Sequence, residues 1–209
     1  MLPPAVAIPI LKVSSYLGLP PTATYAALEL WNFTALSADD DLIIENLKMT
    51  HTFTGTPDEA WFYLISVSME ARGGHLIPIM LEAMNAVRAN QPEVLRECLA
   101  KFSEAIDEVA TLLNRMYDHC KPNVFYHEIR PFLAGSKNML AAGLPNGVFY
   151  GEGNGKGRWH QYSGGSNAQS TLIQLFDVVL GVEHSPTKSS RDAEVDPKAK
   201  NGFLQVSPS

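Results

Sequence analysis

Cysteine is scarce in this chain: of 209 residues only Cys98 and Cys120 carry thiols. Two thiols cannot build a disulfide framework, so a reducing, cytoplasmic setting is expected. Basic residues are also few, 16 Lys and Arg against 22 Asp and Glu, for a net charge of −6. Phosphate recognition needs cations gathered on one face, and no such cluster occurs, so a nucleic-acid partner is not expected. No apolar run reaches the ~18 residues of a membrane span. Met1 is followed by Leu-Pro-Pro without the basic region of a secretory signal. Outside a secreted chain, the acceptor triplet Asn32-Phe33-Thr34 carries no meaning. Internal repeats are absent. His51, His75, His119, His127, His160 and His184 form no His-x-x-x-His or facial-triad spacing. The run Gly151-Glu152-Gly153-Asn154-Gly155-Lys156-Gly157 lacks the spacing of a phosphate-binding loop, and there is no Gly-x-Ser-x-Gly elbow.

What is present is apolar content: 45% of the residues are hydrophobic and 18% charged. A chain of this size buries roughly 70% of its unfolded surface, enough for one domain with a real core. The periodicity is helical for most of the length. Val6, Ile10, Val13 and Leu17 share a helix face ending at Gly18, with Pro9 inside. Thr22 to Phe33 reads as a compact apolar helix, and Leu47 to Thr54 as a short strand. Thr56-Pro57-Asp58-Glu59 is a capping box with Pro at the first helical position. The helix it opens runs to Gly73-Gly74, and a second piece follows from about His75 to Ala89. Asn90-Gln91-Pro92-Glu93 opens the longest helix, with apolar residues at Leu95, Leu99, Phe102, Ile106, Val109, Leu113 and Met116. Pro122 starts a shorter helix ending near Gly135.

Residues 136–165 lose this periodicity and hold a cluster of eight glycines between Gly143 and Gly165. A long loop, functional or mobile, is expected there. Ser166-Asn167-Ala168-Gln169 is a second capping box, opening a helix to Gly181 that is apolar on nearly every side. Such a helix is expected in the middle of a bundle. Residues 1–184 are thus expected to be one all-α helical domain, and residues 185–209 a polar, disordered tail with one helical hint at Asn201–Gln205.

A few residues could carry chemistry. Asp177 lies in that apolar helix, where a lone carboxylate needs a partner. It is either a hydrogen-bond partner for a neighbouring helix or a group facing a ligand. Arg130 leaves a helix carrying Phe125, Tyr126, Ile129 and Phe132. Its guanidinium either snorkels to water or grips a carboxylate beside aromatic walls. Phe62 and Ser66 share a helix face, which reads first as core with a back-bonded serine. His119 and His184 sit at helix ends, where an imidazolium complements the dipole.

Taken in order, several segments carry a resemblance. They are Leu19-Pro20-Pro21 with Thr24-Tyr25-Ala26, then Trp61 to Ser66 ahead of Glu70-Ala71. Arg130-Pro131-Phe132-Leu133-Ala134-Gly135 and Leu144-Pro145-Asn146-Gly147-Val148-Phe149-Tyr150 follow. Gly164-Gly165-Ser166-Asn167-Ala168-Gln169-Ser170 with Gln174-Leu175-Phe176-Asp177 complete the set. From about Leu2 to His184 the chain resembles indoleamine 2,3-dioxygenase, the fungal members above all. The resemblance implies an all-α bundle like the large haem domain of that family, incomplete here. It also implies a haem b enzyme converting L-tryptophan, or a related indoleamine, and O2 to N-formylkynurenine in the kynurenine pathway. By match of motif, Tyr25, Phe62 and Ser66 would line the distal pocket, and Phe125 and Tyr126 would flank the indole. Arg130 would hold the substrate carboxylate. Gly165, Ser166 and Asn167 would lie at the loop over the haem edge and substrate ammonium, with the glycine-rich segment closing over the site. Asp177 would face the haem. Family members are longer at both ends, and their proximal haem histidine follows the stretch resembled by Asn201–Gln205. No histidine here matches it, so no metal ligand is assigned and activity is expected to be impaired. The contrasting expectation is a truncated, non-catalytic helical remnant or interaction protein.

Overall fold

A computed structural model describes residues 1–37, 42–137 and 139–184; the expected tail and its helical hint lie outside these. The architecture is mainly helical. In chain order, α1 (Pro4–Leu17) is followed by a π-helical turn (Ala26–Leu30), β1 (Phe33–Ala35) and β2 (Leu47–Met49). Then come α2 (Pro57–Gly74), α3 (Leu76–Arg88), α4 (Pro92–Asn114), α5 (Met116–His119) and α6 (Pro122–Val124). A second π-helical turn (Phe125–Ile129) runs directly into α7 (Arg130–Leu133). β3 (Val148–Gly153), β4 (Lys156–His160) and α8 (Thr171–Leu180) complete the described chain.

The axis of the fold is α2. Its start follows the capping box: the Thr56 hydroxyl accepts from the Glu59 N–H at 3.3 Å, and Pro57 takes the first helical position. The Glu59 carboxylate reaches back one step further than a standard box. It accepts from the Phe53 N–H at 2.8 Å, and from the Thr54 N–H and hydroxyl, each at 2.6 Å. Fully buried, Glu59 thereby satisfies its charge by hydrogen bonds to the incoming chain rather than by an ion pair. One flank of α2 packs with Leu28, Ile44, Leu47, Met49 and Ile129. The other end meets a second cluster built by Leu76, Met80, Cys98, Phe102, Val109 and Leu172 from α3, α4 and α8. Trp61 Nε1 donates to the Arg115 carbonyl at 2.7 Å and fastens α2 to the end of α4.

Several expectations need correction. α1 forms across Pro9 and stops at a left-handed Gly18, but its Val6/Ile10/Val13/Leu17 face is open to solvent and only Ala7 is buried. The expected helix from Thr22 to Phe33 shrinks to one π-turn, because Phe33–Ala35 pairs antiparallel with Leu47–Met49 instead. The strand expected at Leu47–Thr54 stops at Met49. Its backbone pairing ends where Phe53 and Thr54 turn to Glu59.

The glycine-rich segment is not one loop. Val148–Gly153 and Lys156–His160 form an antiparallel hairpin with a register shift between Gly151 and Gly153. Leu2 pairs with it through Leu2 N–H to Phe149 O (2.8 Å) and Gly151 N–H to Leu2 O (3.0 Å). The capping box at 166–169 caps only a short 3-10 turn. α8 itself starts at Thr171, with Ser170 accepting from the Ile173 N–H at 3.1 Å. Nor does α8 occupy the middle of a bundle: only Leu172 is buried, while Val178 is 80% exposed. No helix of the described residues is long and apolar enough to cross a membrane.

Candidate functional site

Phe62 and Ser66 stand one turn apart on α2 and are both buried. The Phe62 ring meets Phe125 at 4.8 Å between centroids, tilted by 42°. Phe125 opens the second π-turn, and Tyr25 immediately precedes the first. π-turns are rare and concentrate at functional sites, because one extra residue per turn re-aims the side chains after it. The first π-turn buries the adjacent Leu28 and Glu29 together, which a regular surface helix does not do. Tyr25 is tied down twice. Its N–H donates to Gln169 Oε1 at 2.9 Å, and its phenol to Glu70 Oε1 at 3.1 Å. Ser170, buried at the start of α8, donates to the same Glu70 oxygen at 2.5 Å. Glu70 thus stands one turn beyond Ser66 and joins α2, the Tyr25 segment and α8.

The electrostatics follow from burial. The Glu29 carboxyl, only 3% exposed and next to Ser66, Tyr25 and Glu70, is pushed up to about 8, mainly by desolvation. Burial, then the Glu29 and Glu70 charges, push the Tyr25 phenol well above its ordinary value. Tyr63, behind this wall, is raised mainly by burial and then by Glu59.

Of the residues singled out from sequence, the structure gathers Tyr25, Phe62, Ser66 and Phe125 along one wall. Gly165 joins them: a Cβ there would lie 2.9 Å from Leu28 Cδ1 and 3.3 Å from the Ala23 carbonyl, so the loop lies directly against the Tyr25 segment. Ser166 and Asn167 follow at the exposed rim, Ser166 Oγ accepting from the Ala168 N–H at 3.2 Å. Tyr126 and Arg130 are exposed, and the guanidinium carbon sits 5.3 Å over the Tyr126 ring. Arg130 therefore follows the surface reading in geometry, yet among the described residues it has no carboxylate partner.

Asp177 is not gathered with the wall. It is 27% exposed and pairs with His184 Nε2 at 2.7 Å, which meets the need for a partner. His119 belongs to α5, not to the last turn of the long helix, and packs edge-on against Trp61. Sequence reasoning missed Glu29, Glu70 and Ser170. The signal for Glu29 was the same one that marked Asp177, an acid inside an apolar run.

A cavity of about 860 Å³ lies against a different face of α2, bounded by Ile44, Ser68, Arg72, His75, Glu108 and Arg115. Flat apolar rings, a few placed hydroxyls and a free guanidinium at the rim make one side of a small-molecule site. The family model for indoleamine 2,3-dioxygenase matches residues 1–206, and the chain belongs to that family. It is 47% identical over 191 residues to an indoleamine 2,3-dioxygenase of Aspergillus nanangensis, covering 88% of this chain and 46% of the relative. It is 42% identical over 192 residues to indoleamine 2,3-dioxygenase of Saccharomyces cerevisiae, covering 88% and 42%. A 6-hydroxytryptophan 2,3-dioxygenase of Fusarium equiseti is 41% identical over 184 residues, covering 88% and 45%. The chain spans somewhat under half the length of these curated relatives.

Proposed function

We propose that the chain provides the substrate-side wall of a haem-dependent dioxygenase that opens the indole ring of L-tryptophan, or of a ring-substituted relative, with O2, yielding N-formylkynurenine from tryptophan. One observation carries this reading: the residues that the family motifs single out, Tyr25, Phe62, Ser66 and Phe125, converge on one buried wall from three separate segments. The name of the Fusarium relative supports a substrate class that includes ring-substituted tryptophans.

In this reading Phe125 and Tyr126 flank the flat indole, and Phe62, packed against Phe125 at 4.8 Å, extends the same aromatic surface. Ser66 provides a hydroxyl at the wall. Arg130, over the Tyr126 ring and without a carboxylate partner among the described residues, is available to hold the substrate carboxylate by two parallel N–H···O bonds. Ser166 and Asn167 would receive the ammonium at the rim.

For haem b, Ser66, Gly165 and Ser166 are the candidate holding residues; Asp177, paired with His184, stands apart from them, and the space beside Gly165 is already taken by Leu28 and the Ala23 carbonyl. The donor set fits less fully. Among the described residues no group of three or more His, Cys, Asp or Glu could hold a metal ion. His51, His119, His127, His160 and His184 are engaged with Thr50, Trp61, Tyr126, Tyr162 and Asp177. When bound, haem supplies the iron at which O2 is activated; the protein supplies orientation and a dry wall.

The second reading, a non-catalytic helical protein, is favoured by the exposed apolar side of α8. Haem titration of the purified full chain tests both readings. A Soret band, with N-formylkynurenine formed from tryptophan under reducing conditions, is the expected result. No haem uptake at micromolar concentration, with helical circular dichroism intact, would establish the second reading.

A further inference from the structure

Behind the aromatic wall lies a group that the proposed reaction does not use. Glu29 is buried, and its Oε2 has no hydrogen-bond partner among the described residues. The groups acting on it are the Tyr25 phenol from its own segment and the Ser66 hydroxyl and Glu70 carboxylate from α2. Tyr63, also on α2, feels its charge. None of these is a cation. A carboxylate held this way, with a second carboxylate nearby and nothing positive to offset it, is costly to keep charged. The neutral acid, with its own O–H donor, is not. The Ser66 and Tyr25 hydroxyls bond to Glu29 and act in the opposite direction, but desolvation outweighs them. Glu70 nearby accepts from the Tyr25 and Ser170 hydroxyls.

We propose that Glu29 is a positioning residue that stays protonated at neutral pH, so that the wall behind Ser66 carries no charge at this position. This rests on reading that wall as the substrate-facing one. A neutral acid holds the Ser66 hydroxyl by a hydrogen bond without placing an anion behind the wall. It also keeps the surface against the indole free of a charge that an apolar ring cannot solvate.

Infrared spectroscopy of the full chain tests the protonation directly and needs neither haem nor turnover. At pH 7 the carbonyl stretch of a protonated carboxylic acid is expected, and it should disappear as the pH is raised through about 8. The band should vanish in Glu29→Gln and persist in Glu70→Gln. No such band at pH 7, or a band indifferent to Glu29→Gln, overturns the proposal.

A second arm reads the consequence at the wall. L-tryptophan binding to the haem-supplemented chain, followed by calorimetry, should weaken about tenfold from pH 7 to pH 9 as Glu29 ionises. The profile should be flat in Glu29→Gln, which keeps the neutral wall, with affinity near the pH 7 value throughout. An equal pH dependence in both proteins overturns the positioning role. If neither binds tryptophan at any pH, the reading of the wall as substrate-facing fails, and the infrared arm still decides whether Glu29 holds its proton.

Discussion

At the scale of single residues, the site is organised around one buried acid, Glu29, beside Ser66, Tyr25 and Glu70. Glu29 has its folded-state value raised to about 8, so folding holds on to a proton that the unfolded chain releases above about pH 4.5. Its contribution to stability is therefore complete below that range and is lost as pH rises through about 8. Denaturant midpoints of the wild-type chain should fall between pH 5 and pH 8.5, and Glu29→Gln should remove most of that slope while leaving the chain more stable at pH 8.5. An unchanged slope would show that Glu29 titrates like an exposed carboxyl. Arg130 is the other residue whose role is open to direct measurement. Among the described residues its guanidinium makes one ring contact and no ion pair, so Arg130→Ala should leave the melting temperature within about 1 °C while lowering tryptophan affinity at least tenfold. Equal affinity in the variant would remove Arg130 from the carboxylate role.

At the scale of elements, glycine positions show where the hairpin is joined to the body. A Cβ on Gly164 would lie 1.9 Å from the Leu133 carbonyl, and one on Gly135 would lie 2.2 Å from the Tyr162 carbonyl. These two segments cross backbone to backbone, which fixes the end of α7 against the strand leading to Ser166. Gly164→Ala should therefore cost roughly 2 kcal/mol or more in chemical denaturation, since backbone cannot yield as a side chain can. A cost below ~0.5 kcal/mol would mean the crossing is loose. The hairpin also shows why residues 136–165 read as featureless. Glycines at turn and bulge positions removed the alternating pattern, and the pairing of Val148–Gly153 with Lys156–His160 comes from the return of the chain. By contrast the starts of α2 and α4 were legible to within a residue or two. Their starts are written in local chemistry, Thr56-Pro57 and Gln91-Pro92, and their apolar residues repeat at helical spacing.

At the scale of the molecule, α3, α4 and α8 leave an apolar groove of about 410 Å³ between them, lined by Ile77, Leu81, Val87, Leu99, Leu175 and Val178 among others. Contiguous apolar surface of this kind drives association or dye binding. The full chain should bind a hydrophobic fluorescent dye and sediment above its monomer mass of 22.9 kDa at high concentration. Replacing Leu81 and Val178 by Lys should reduce both effects, with circular dichroism unchanged. Persistence of both after the double replacement would locate the sticky surface elsewhere.

The amino-acid sequence by itself determined the helical class, the starts of α2 and α4, the family, and the set of residue types at the wall, because each is carried by local patterning or by ordered motifs. Only the tertiary structure decided which of those residues meet. Phe62 and Phe125 come together across 63 positions. Asp177 turns to His184 and α8 lies at the edge instead of the centre. Glu29 becomes a buried acid beside Ser66. Each outcome depends on which neighbour excludes water from a side chain, and that is a property of packing between distant segments, not of the residues flanking it.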